Sequence, residues 1–197
     1  MNTGSRGQIV VRTTDLSLVF GAIDRDLGRF RLRRREVAVE PAPGARPRLD
    51  PPAGPDAVWF AFRVGQGVTW VLPEDLQGLF KAAWAIHSAL GTVPVIASRQ
   101  FAYGAFEVKG YVDRELVFKA GDDADSELAW VPSPITRERV APVAAACGGG
   151  AIVELVSAVL DRRATATDWD DAFRGGPTRE AFPGTRDGWR HVVWSRQ

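Results

Sequence analysis

Apolar positions along the chain alternate over short stretches and then switch to three- and four-residue steps, and these two periods divide it into elements. "QIVVR" (8–12) and "LSLVFGAI" (16–23) are short apolar runs with β-branched content, and both predict strands. "AVWFAFRVGQGVTWVL" (57–72) predicts a hairpin turning at Gly65-Gln66-Gly67. Val58, Phe60, Phe62 and Val64 share one face of its first strand. Trp59 and Ala61 make the other face apolar too, as in a strand covered on both sides. Further strands are predicted in "VPVIAS" (93–98), "FAYGAFEV" (101–108), "YVDRELVF" (111–118), "SELAWVP" (126–132) and "WRHVVW" (189–194), with a turn at Lys109-Gly110.

The helical period is clearest over about 73–90. Leu76, Leu79, Phe80, Ala83, His87 and Leu90 form one stripe, Pro73 suits the first helical position and Gly91 suits the position just past the end. A helical pair follows at about 138–147 and 151–163, separated by Gly148-Gly149-Gly150. Its second member has an apolar face of Ile152, Leu155, Val156, Val159 and Leu160. "TDWDDAF" (167–173) reads as one short capped turn.

Strands in hairpins, one helix in the middle and helices near the end predict an α+β fold with a largely antiparallel sheet. The stretch 41–56, "PAPGARPRLDPPAGPD", holds six of the thirteen prolines, so neither a helix nor a central strand can run through it. We read it as a surface loop between an N-terminal strand segment and the main body. The N-terminal piece is too short to fold alone, which predicts a single domain over 1–197.

Composition narrows the function only slightly. The chain has 197 residues, 45% hydrophobic and 25% charged, enough for a real core and too apolar for wholesale disorder. A net charge of +1 creates no global field toward polyanions. Residues 1–50 carry ten Arg against six acids, and 122–197 carry nine Arg against twelve, a mild basic-to-acidic gradient. The lone cysteine, Cys147, excludes a disulfide framework and a multi-cysteine zinc site. No cofactor and no metal site is expected. The most apolar stretch, 140–160, contains Pro142, three glycines and Glu154, which predicts no membrane span. The expected location is the cytoplasm.

Candidate chemistry centres on "GRFRLRRREVAVEP" (28–41), in which Arg29, Arg31, Arg33, Arg34 and Arg35 fall within seven positions. Read as a strand, its apolar face changes parity between Leu32 and Val37, which predicts a bulge or turn near Arg33–Glu36. Such a ridge could meet phosphates. Flanking acids (Asp24, Asp26, Glu36, Glu40) equally suit the solvated edge of a sheet. Trp169, Trp189 and Trp194 lie among arginines near the C-terminus, a pairing enriched at interfaces. The candidate binding surface is therefore the five arginines with Trp189 and Trp194.

Candidate catalytic residues are His87, His191 and Cys147. Histidine can act as a general base, and a thiol beside the glycine-rich "CGGGAIVEL" could gain from a helix N-terminus that also binds anions. No constellation is complete. The expectation is a small intracellular binding protein, an accessory, regulatory or assembly subunit acting through a protein partner. The alternatives are an RNA or single-stranded nucleic-acid binder using Arg29–Arg35, and an enzyme using Cys147 or His87.

Overall fold

Strand β1 (Arg6–Val11), the first described element, lies at the centre of a nine-stranded sheet. In the computed structural model, which describes residues 6–36, 56–74, 76, 78–100, 106–121, 130–131, 137–161 and 189–196, the strand order is β2-β9-β3-β4-β1-β5-β6-β7-β8. The strands are β2 (Arg33–Glu36), β3 (Val58–Gly65), β4 (Val68–Pro73), β5 (Val95–Gln100), β6 (Phe106–Val112), β7 (Glu115–Gly121), β8 (Trp130–Val131) and β9 (Arg190–Ser195). Every pairing is antiparallel except β7 with β8. The fold is α+β with a largely antiparallel sheet, as the run of hairpin strands with one helix in the middle and helical periodicity near the end predicts.

Helices cover both faces. Ile9 and Val11 point to the side of α1 (Leu16–Gly28) and α2 (Leu79–Leu90), where Phe60, Phe62, Val71, Val192 and Trp194 complete a core. Val10 points to the other side, where Ala61, Trp70, Leu72, Ile96 and Phe118 pack against α3 (Arg137–Asp161). The continuous apolar runs of β1, β3 and β4 follow from this double cover.

Three local predictions are corrected. "LSLVFGAI" is the first part of α1, not a strand. Asp15 caps the helix by accepting the Ser17 N–H at 2.9 Å, and Val19, Phe20, Ile23 and Leu27 recur at helical steps once the window extends to Gly28. The turn between β6 and β7 falls at Asp113-Arg114, because Val112 pairs with Glu115 and both turn residues take positive φ. The helical pair is one helix. Val140, Ala144, Ile152, Leu155, Val156 and Val159 are all buried on one face, so the same packing drives both ends and carries the helix through its glycines.

The central helix is shorter than predicted. Pro73 ends β4, paired with Phe60, and α2 begins after Gly78. Its end is as expected, with Gly91 at φ 74° donating its N–H to the His87 carbonyl. The proline-rich loop 41–56 lies outside the described residues apart from Asp56, as do Val37, Val39 and the turn 167–173 with Trp169.

Candidate functional site

The arginine run does not form one ridge. It starts at the end of α1, where Arg31 donates its N–H to the Gly28 carbonyl at 3.0 Å and Leu32 donates to Leu27 at 3.3 Å. That pair of bonds is the Schellman arrangement, with Arg31 in the left-handed position at φ 61° and Leu32 buried beneath it. The turn therefore precedes Arg33, where the sequence places it at Arg33–Glu36. The rest of the run is the edge strand β2, paired to β9 on one side.

Register then divides the side chains. Arg34 pairs with Trp194, so it lies on the α1 side, with its guanidinium 4.7 Å from the Phe20 ring centroid and Nε 3.7 Å from Asp24 Oδ2. Arg33 pairs with Ser195 and Arg35 with Val193, which places both on the opposite face. The two tryptophans expected beside them are core residues. Trp194 is fully buried, edge-on to Phe60, and donates its indole N–H to Asp24 Oδ1 at 2.7 Å. Trp189 is buried under the Arg63 guanidinium.

Of the candidate bases, His87 is committed to structure. Its Nε2 accepts the Arg114 backbone N–H at 2.8 Å, which leaves the proton on Nδ1, and Nδ1 donates to the Val93 carbonyl at 3.0 Å. Both ring nitrogens thus join the end of α2 to the β5 approach and the β6–β7 turn. Burial lowers the pKa, against the Val93 carbonyl and Asp113, which raise it. His191 is buried in β9 beside Ala61, and burial pushes it down to about 4.

Cys147 falls inside α3, and its side chain lies outside the described residues. The glycines after it sit in mid-helix, where backbone N–H groups are taken up by the preceding turn. The expected anion site at a helix start is absent there. Among the described residues no group of His, Cys, Asp and Glu could hold a metal, and no helix is long and apolar enough to cross a membrane.

Among the described residues, a trough of about 570 Å³ lies between α1 and α2, opening over the start of β3. On α1 it is lined by Ala22, Arg25, Asp26 and Arg29, at steps of three and four, followed by Phe30. From α2 come Lys81 and Trp84, together with Ala82, Ala85 and Ala89, whose small side chains leave the space open. Phe30 is 60% exposed and Trp84 43%, two of the four large apolar side chains left in solvent among the described residues. Trp84 is not loose. Its ring lies 5.8 Å from Tyr111 and 6.1 Å from His87, which hold it beside the trough that Trp84 helps to line.

Of the residues that build this trough, only Arg29 belongs to the candidate binding surface that the sequence predicts. Trp84 could have been found, because it is an aromatic standing off the Leu79–Ala83–His87 stripe. Phe30 could not, since its exposure depends on the turn at Arg31. Set against protein families, curated proteins and solved structures, the chain matches none of them.

Proposed function

We propose that this chain is a binding protein, an accessory, regulatory or assembly subunit, and that the α1–α2 trough takes a segment of its protein partner. The observation that carries this reading is the pair of exposed aromatics, Phe30 and Trp84, on the rim of an apolar-floored trough. Aromatic side chains, Phe and Trp among them, are enriched at interfaces relative to the rest of a protein surface. A trough open to water along one side suits a peptide chain, which keeps part of its surface solvated.

A displayed library of short linear peptides, selected on the full chain, tests the proposal. The enriched peptides should bind the wild type and lose binding to Ala85→Trp, which fills the floor, and to Phe30→Ser, which removes a rim aromatic. No enrichment, or peptides that bind both variants as well as the wild type, overturns it.

A further inference from the structure

The rim of the trough is electrostatically one-sided, and that identifies the occupant. Arg25 on α1 and Arg29 at its C-cap stand one turn apart, and Lys81 lines the same trough from α2. All three are exposed, and none forms an ion pair among the described residues. Among the described residues the single carboxylate lining the trough is Asp26. Several other arginines do find acids. Arg34 is drawn to Asp24, Arg12 to Glu154 and Arg99 to Glu107. Among the described residues three cations stand against one acid around a floor of alanines and Phe60, a lining short of negative charge.

A basic partner would meet three like charges there, whereas an acidic one would gain attraction and faster encounter.

Resting on the reading above that the trough binds a partner protein, we infer that its occupant is an acidic segment carrying large apolar side chains. Apolar side chains insert between Phe30 and Trp84 onto the alanine floor. Carboxylates on either side of them meet Arg25, Arg29 and Lys81. Two requirements follow, and each can fail alone. Apolar residues without acids lose the rim contacts, and acids without apolar residues lose the floor.

Three synthetic peptide pools of equal length separate the possibilities. One mixes Asp and Glu with Leu, Phe and Trp, the second replaces every acid with Lys, and the third keeps the acids but replaces every apolar residue with Ser. Labelled full chain should bind the first pool about tenfold more strongly than either other, a preference that shrinks at high salt. Arg25→Glu with Lys81→Glu should reverse the order of the first two pools. Both positions are exposed, so folding is retained and is verified by thermal melting. Equal binding of the Lys pool, or no change on charge reversal, overturns the acidic occupant while leaving a partner-binding trough in place. Equal binding of the Ser pool overturns the apolar requirement. Binding to none of the pools overturns both this inference and the function it rests on.

Discussion

Trp194 donates its indole N–H to Asp24 across 2.7 Å, joining the last strand of the chain to its first helix. The two residues stand 170 positions apart. Around this bond Phe20 meets Phe62 edge-on at 4.8 Å, and Phe60 meets the Trp194 ring at 5.5 Å, so the polar contact sits at the margin of an aromatic core. Asp24→Ala leaves the indole N–H without its acceptor and should cost about 1–3 kcal/mol. Asp24→Asn keeps a carbonyl oxygen at the same place and should cost less. Urea denaturation of both variants decides the point. Equal losses would mean that the carboxylate matters through charge and not through this bond.

Two arginines hold backbone conformations that suit glycine better. Arg31 has φ 61° at the end of α1, and Arg114 has φ 67° in the β6–β7 turn. A side chain in this region costs roughly 1 kcal/mol, and both side chains are exposed. Arg31→Gly and Arg114→Gly should each raise stability by about 1 kcal/mol. Neither loses a backbone bond, because the Arg31 N–H to Gly28 and the Arg114 N–H to His87 survive in glycine. Melting temperatures that fall would show that the arginine side chains hold the turns by contacts of their own.

These turns also mark where sequence reading loses its grip. The β3–β4 hairpin, the α2 stripe and the central β1 pattern are legible because burial imposes a period on every residue. Helix α1 is misread because "LSLVFGAI" is short enough to fit either period, and only Asp15 before it and Leu27 beyond it settle the matter. The three glycines of α3 look like a break because local propensity disfavours a helix by about 1 kcal/mol at each. Packing at Val140 and Ala144 on one side and Ile152 to Val159 on the other outweighs it. The trough is illegible for a different reason. Its lining comes from α1, α2 and the start of β3, and no single window of sequence contains it.

Acid should destabilise the fold through its two buried histidines. Burial lowers the pKa of both, His191 to about 4, from an ordinary value of 6.5. The unfolded chain therefore takes up protons first as pH falls. Stability is fully present above about pH 6.5 and drains away toward the folded value near 4. For His191 alone the loss by pH 5 is about 2 kcal/mol. Replacing it with Phe removes the proton but keeps an apolar ring, so His191→Phe should lose less stability than the wild type over that range. Urea midpoints at about pH 7 and about pH 5 give the comparison. Parallel losses would place the acid sensitivity in the carboxylates instead.

The arginine run should bind nucleic acid poorly, because its members diverge. Arg34 lies over Phe20 on the α1 side, while Arg33 and Arg35 share the opposite face with Ser195 and Val193. Arg31 sits exposed in the turn, and Arg29 lines the trough. A phosphate backbone running along one face meets at most a few of them, and each contact contributes only about 0.9 to the salt slope on duplex DNA. Labelled single-stranded RNA and DNA, titrated at low and high salt, should show no saturable binding at micromolar protein. The contrary result is equally definite. Salt-sensitive micromolar binding that Arg33→Glu with Arg35→Glu abolishes, leaving the peptide preference untouched, would make the β2 edge a nucleic-acid site separate from the trough. If the same double substitution weakened peptide binding instead, the partner's surface would have to reach past Arg29 and around the edge of the sheet.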